Sequence, residues 1–375
     1  MKQVTEPMLS DIRRQRSALS ALLHRADEIR HHGATHVAPT DGGRLFTAAS
    51  GDGWFAARAV AALAGRGYSL PYVPCSSLEF LCYEAPRSRP SDRLIVISMS
   101  GNVDRVVEGV ARARDRGAGA FLVTNGDGGR LSPLVDARCS LDIPELAPFL
   151  CGTSTYTGTL LALWLLLDGV GESADGDADW RFDLRRATDA VAALEDGIAT
   201  ANTFAQGLAE TAAASSVSGV RFLSAGPNLA SADYGAAKLV ELTRIPVWSD
   251  DLEEFAHRQY WSMDVGNLVV YLSANDTVAT NADSSAAALA DLGVRTVSIE
   301  TAGCPVKAAT HRLTLPDVPE WLSPLLFAIP LQLFAYHLAR ATGLDPNTRR
   351  HLKDDPVRFQ VSRKLTRRSL IGTGQ

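Results

Sequence analysis

Cysteine is scarce and unpatterned in this chain of 375 residues. The five present, Cys75, Cys82, Cys139, Cys151 and Cys304, are odd in number, scattered and without a CxxC pair. That excludes a disulfide framework and a zinc knot, and points to reduced thiols in a cytoplasmic protein. An excess of basic charge is also missing. The formal net charge is −5, with Lys and Arg spread along the chain, which argues against a nucleic-acid partner. The start, MKQVTEPMLSDIRRQR, has no apolar core and does not read as a signal peptide. The longest apolar run, Leu160 to Leu167, is too short to cross a bilayer, so no membrane partner is expected. There is no GxGxxG, and no cluster of His and carboxylates at ligand spacing. Neither a nucleotide cofactor nor a metal is therefore expected. What remains is a chain 46% hydrophobic and 21% charged, with a sizeable core and the length of two ordinary domains.

One stretch organises the rest. Leu94-Ile95-Val96-Ile97 is an apolar run that breaks into Ser98-Met99-Ser100-Gly101-Asn102, after which Val103, Val106, Val107 and Val110 recur at helical spacing. The pattern is buried parallel strand, hydroxyl-rich turn, helix N-terminus. Backbone N–H groups at such a turn, together with the helix dipole, favour an anion. Many strand–loop–helix units bind nothing, so the stretch alone leaves both readings open.

Before it, Pro7 to about His32 reads as one helix, Arg44–Ala49 as a strand and Trp54–Leu63 as a helix. A short strand is expected near Tyr72 and a short helix over Leu78–Tyr83. After it come a strand at Ala120–Thr124 and an apolar helix at Ser154–Leu167. Gly169 to Asp179 is acidic, Gly-rich and aperiodic, as a linker is. The pattern then restarts after a helix over Leu184–Ile198. Arg221–Ser224 is a strand into Ala225-Gly226-Pro227-Asn228, Ser231–Leu242 a helix, and Leu268–Ser273 a strand. Ala286–Leu292 is a helix, Arg295–Ile299 a strand and Trp321–Leu338 a helix. The expectation is an internal duplication in the α/β class: two doubly wound parallel sheets, each flanked by helices. Its divisions are an N-terminal helical segment (1–40), a first domain (41–170), a linker (171–183), a second domain (184–344) and a polar, basic tail (345–375).

The order of elements, the Ser98-Met99-Ser100-Gly101 loop, Ala237-Lys238-Leu239-Val240-Glu241, Leu252-Glu253-Glu254-Phe255-Ala256-His257 and Ile329 to His337 together resemble the tandem sugar isomerase (SIS) domain family. The resemblance is to the isomerase domain of glucosamine-6-phosphate synthase and to fructosamine-6-phosphate deglycases. It implies two SIS domains and an αβα sandwich in each. No counterpart of the synthase's ammonia-supplying glutaminase domain is recognisable. The expectation is therefore isomerisation or amine removal rather than amidotransfer.

Aldose–ketose interconversion needs a base over the C1–C2 edge, a group that opens the ring and charge stabilisation on oxygen. Tyr234, Lys238 and Glu241 fall on a single helix face. The resemblance implies Glu241 as the base; an isolated Lys-x-x-Glu would be an ordinary surface pair. It also implies His257 as the ring-opening group, reaching a neighbouring subunit's site in a homodimer. The family's usual His-Gly-Pro is here His257-Arg258-Gln259. Lys353, with His351 competing for the place, would stabilise charge from the tail.

The resemblance implies a substrate- and phosphate-binding set of Gly51, Gly53, Ser98, Met99, Ser100, Val103, Ser154, Thr155, Tyr234 and Lys238. Gly53 stands where a Ser is usual, Met99 for a Gln, Val103 for a Thr and Tyr234 for a Glu. The phosphate cup is thus poorer in hydroxyls than the family pattern. The reading is a cytosolic isomerase of a sugar phosphate or amino-sugar phosphate that needs no cofactor. A fructosamine-type deglycase or deaminase, or a non-catalytic sugar-phosphate-binding protein, stands beside it.

Overall fold

The apolar runs that the sequence marks as strands become the central strands of two parallel sheets. The computed structural model describes residues 6–148, 150–171, 176–348 and 355–366. The first sheet contains β1 (Leu45–Ala49), β2 (Tyr72–Ser76), β3 (Arg93–Ile97), β4 (Gly119–Thr124) and β5 (Ala137–Ser140). Its order is β2-β1-β3-β4-β5, all parallel. The second contains β6 (Gly219–Ser224), β7 (Val247–Asp251), β8 (Asn267–Ser273), β9 (Arg295–Thr301) and β10 (His311–Leu315). Its order is β10-β9-β8-β6-β7, again all parallel. Counted from its own first strand, each sheet reads 2-1-3-4-5. The duplication expected from sequence is therefore a duplication of topology. Each sheet reverses direction of winding between its first and third strands, where open α/β sheets leave a crevice at the carboxyl ends.

The chain forms two compact units. Within the described residues, 17–144, 154–183 and 355–366 group with the first sheet, and 6–16, 145–153 and 184–348 with the second.

In the first unit, β3 and β4 are buried almost throughout, as their Val/Ile/Leu/Phe composition requires. Val106 and Val110 of the Asp104–Asp115 helix pack with Val96 and Leu122 on one face. The Ser154–Val170 helix is apolar on nearly every side. Leu160, Leu161, Leu163, Trp164, Leu165, Leu166 and Leu167 are all fully buried, and such a side chain contributes about 1.5–3 kcal/mol through the area it removes from water.

In the second unit, the Ser323–Ala341 helix packs against the Leu184–Ala214 and Pro227–Thr243 helices. By length and composition Glu320–Ala341 could cross a membrane, but 94% of that window is buried inside the protein. The expectation that no segment is long and apolar enough is corrected to that extent; the helix is core.

Other boundaries move. The single helix expected over Pro7–His32 is three, Pro7–Arg13, Gln15–Leu23 and Ala26–His32, followed by a π-helical turn at Gly33–Val37. The helix at Leu184 runs on to Ala214. That at Ala286–Leu292 starts earlier, over Asp276–Ala290, because Asn275 caps it by accepting from the N–H groups of Thr277 and Val278.

Candidate functional site

The first group of expected site residues gathers at the switch point of the first sheet. Ser98 follows the last residue of β3. Alternation along the strand puts its side chain on the same face as Val96, toward the start of the Asp104–Asp115 helix. Ser98 is 6% exposed, and its Oγ has no hydrogen-bond partner among the described residues. A buried hydroxyl left unpaired costs about 1–3 kcal/mol, which an incoming acceptor recovers. The helix beside it begins at Val103 without a side-chain cap, leaving its first N–H groups and its dipole facing the same place.

The loop itself is braced. The Met99 carbonyl accepts from Thr124 Oγ1 at 3.1 Å, and exposed Ser100 accepts from Asn102 through both its Oγ and its carbonyl. Across the switch point, Gly51 (φ 56°) precedes the Asp52–Ala59 helix, which also lacks a side-chain cap. A Cβ on Gly53 would lie 2.8 Å from Ile97 Cγ2 and 3.2 Å from Ala49 Cβ. The serine hydroxyl missing at this position is therefore a packing matter: the helix lies too close to β3 to admit a side chain. Ser154, buried, and Thr155, half-buried, open the long apolar helix of the same unit.

The second group lies on the Pro227–Thr243 helix of the other unit. Lys238 is 3% exposed, so its pair with Glu241 is no solvated surface contact. Its Nζ donates to Glu241 Oε2 at 2.9 Å and sits 5.3 Å from the centroid of the Tyr234 ring. The Glu241 side chain keeps 26% exposure. Buried lysine, aromatic ring and partly open carboxylate thus form one stack along the helix face.

Tyr234 itself is fully buried and its hydroxyl is used internally. It donates to the Gly152 carbonyl at 2.8 Å and accepts from Gln332 Nε2 at 2.9 Å. Gln332 Oε1 accepts in turn from Gln15 Nε2 at 2.7 Å, and Thr153 Oγ1 bonds to Asp11. This chain of buried polar groups fixes the Gly152–Thr153 turn. Sequence reasoning did not single out Gln15, Gln332 or Asp11. The available signal was a glutamine inside the apolar run from Ile329 to Tyr336.

His257 ends the short helix Leu252–His257, with 68% of its side chain exposed and Nε2 3.2 Å from Glu253 Oε1. The two residues that depart from the family pattern both anchor on Asp250, which is 5% exposed. Arg258 pairs with it, donating from Nε at 3.0 Å, and Gln259 Nε2 donates at 2.8 Å. Hydrogen bonding to Asp250 holds the Arg258 guanidinium above its usual pKa. Asp250 is a further residue that the sequence did not flag.

Glu241 and His257 are not brought together within the chain. Glu241 sits near the C-terminal end of a 17-residue helix, which is about 25 Å long at 1.5 Å per residue. It therefore lies toward the amino edge of the sheet, whereas His257 follows the carboxyl end of β7. Lys353 and His351 fall outside the described residues.

No family model matches the chain. It is 25% identical over 299 residues to the isomerizing glutamine–fructose-6-phosphate aminotransferase of Yersinia pseudotuberculosis, a match covering 76% of this chain and 47% of that protein. The chain spans about half the length of the curated relatives it matches. Among solved structures, the C-terminal domain of glucosamine-fructose-6-phosphate aminotransferase from Francisella tularensis superposes with a TM-score of 0.75 at 17% identity, covering 92% of this chain and 98% of that one. Glucosamine-6-phosphate deaminase from Thermotoga maritima gives 0.72 at 14% identity, covering 91% and 97%.

Proposed function

For a chain similar to the isomerase domain of the isomerizing aminotransferases and built as two SIS domains, we propose aldose–ketose isomerisation of a sugar phosphate or amino-sugar phosphate in the cytosol. The observation that carries the reading is the buried Lys238 holding Glu241 at 2.9 Å, with the carboxylate still partly open. A buried ammonium is costly unless paired, and its bond to Glu241 fixes that carboxylate.

In this reading Glu241 removes a proton from one of the two sugar carbons and returns it to the other, through an enediol or enolamine. The Ser98 hydroxyl and the uncapped helix start after Val103 hold the phosphate, with Ser100, Ser154 and Thr155 adding donors. Met99, Gly51 and Gly53 shape the cup through backbone and packing rather than through side-chain donors. His257, on an exposed helix end far from its own chain's Glu241, opens the ring in the site of a second subunit, making the working form a homodimer. Lys353 or His351 supplies the tail's positive charge. Tyr234 and Lys238 hold the catalytic helix face in register.

The test is a panel of fructose-6-phosphate, glucose-6-phosphate and glucosamine-6-phosphate, followed for sugar interconversion and for ammonia. Interconversion with no second product supports the isomerase. Stoichiometric ammonia or amine release assigns the deaminase or deglycase alternative, which the same Glu241 chemistry permits. Binding without turnover, unchanged by Glu241→Gln, would leave only a sugar-phosphate-binding protein.

A further inference from the structure

The duplication extends to the loops at the switch points of the two sheets. Gly226 repeats Gly51: φ is 58° against 56°, ψ −140° against −129°, and each immediately precedes the helix that follows its sheet's first strand. Three residues before these glycines stand Ala48 and Leu223, which pair in register with Val96 and Tyr271. Two residues beyond those stand Ser98 and Ser273. Ser273 is fully buried, and its Oγ, like that of Ser98, has no hydrogen-bond partner among the described residues. Alternation puts it on the Tyr271 face. There Tyr271 packs with Ala282 and Ala286 of the Asp276–Ala290 helix, so Ser273 meets that helix's N-terminus. The long apolar helix of each unit also opens on serine, Ser154 and Ser323.

The two cups differ in what fills them. At the first, Val103 provides no side-chain cap. At the second, Asn275 caps the helix, and its Nδ2 donates to Glu320 Oε2 at 3.0 Å. Glu320 Oε1 lies 3.3 Å from the position a Cβ would take on Gly226, at the start of the Pro227–Thr243 helix. Ser323 Oγ accepts from Asn228 Nδ2 at 2.7 Å and donates to the Glu320 carbonyl, fixing that segment across the helix start. Glu300, a further carboxylate near the strand ends, is taken by Ser298, the Val306 N–H and Arg312.

We propose that the Gly226–Ser273 pocket is a second phosphate-type anion cup held shut by the Glu320 carboxylate, which stands where a ligand's anion would stand. A negative group at a helix N-terminus is favoured whether it belongs to a ligand or to the chain. Removing Glu320 therefore exposes a site for a free oxyanion. The inference rests on reading the Ser98 loop as an anion cup, and the experiment separates the two.

Inorganic phosphate is titrated calorimetrically into the full chain and its variants, each checked for a cooperative melt. Wild type binds one phosphate per chain; Glu320→Ala binds two, and Glu320→Ala with Ser273→Val returns to one. Glu320→Gln, which keeps the bulk and removes the charge, serves where the alanine variant does not fold. It too binds a second phosphate, because the amide that replaces the carboxylate carries no charge to compete with an anion at the helix terminus. If folded Glu320→Ala and Glu320→Gln both keep the wild-type stoichiometry, the self-occupied cup is wrong. If wild type binds none and Glu320→Ala binds one, the second cup stands and the Ser98 cup falls.

Discussion

Gly53 shows how a single residue decides what the first cup can offer. A serine there would restore the hydroxyl of the family pattern, yet its Cβ would press on Ile97 and Ala49. Overpacking of this kind costs about 1–3 kcal/mol. Gly53→Ser is therefore expected to lower the melting temperature without tightening inorganic phosphate binding; tighter binding at unchanged stability would show that the loop has room. Tyr234 gives the second residue-scale prediction. Its hydroxyl bridges Gln332 and the Gly152 carbonyl, so Tyr234→Phe removes one hydrogen bond from each, at about 1–3 kcal/mol in all. Chemical denaturation should show that loss. A change in KM with stability intact would instead make Tyr234 a substrate contact. The sequence made Tyr234, Lys238 and Glu241 legible as one helix face because helical periodicity is local. It could not reveal Gly152, Gln332 and Gln15 as partners of Tyr234, since those contacts join segments distant in the chain.

The same division holds between elements. β1, β3, β4, β6, β8 and β9 were legible because strands buried on both faces must be apolar. β5, β7 and β10 were not: they read ARCS, VWSDD and HRLTL, and all three are edge strands with exposed positions. One of these edges carries a pH-sensitive tie. Burial alone would raise the pKa of Glu300, but Arg312 on β10, the Ser298 hydroxyl and the Val306 N–H outweigh it and hold the carboxyl below its ordinary value. A folded pKa below the unfolded one gives stability that is present above the unfolded value and lost as pH falls through the folded one. Melting temperature should therefore drop below about pH 4, the unfolded carboxyl range, and Glu300→Gln should melt lower at neutral pH with a flatter acid limb. An acid limb identical to wild type would remove Glu300 from the account.

For the molecule as a whole, the repeated 2-1-3-4-5 order was foreshadowed by the repeated strand–loop–helix pattern, while the unequal cups were not. Asn275 against Val103 is a local difference in capping, but the placing of Glu320 beside Asn275 and Gly226 joins segments distant in the chain, which no local pattern encodes. The separation of Glu241 from His257 along one chain gives a prediction at this scale. Glu241→Gln and His257→Ala, each inactive, should regain activity when unfolded together and refolded as mixed dimers; no recovery would place both residues' roles within one subunit. The central claim is that Glu241 moves a proton between adjacent sugar carbons. Its most direct test is proton NMR of fructose-6-phosphate and glucosamine-6-phosphate incubated with the protein in D2O. Wild type should introduce deuterium at C1 or C2, and Glu241→Gln should slow this by about 100-fold or more, the contribution of a positioned general base. Deuterium entering at equal rates with Glu241→Gln, or with neither protein, would contradict it.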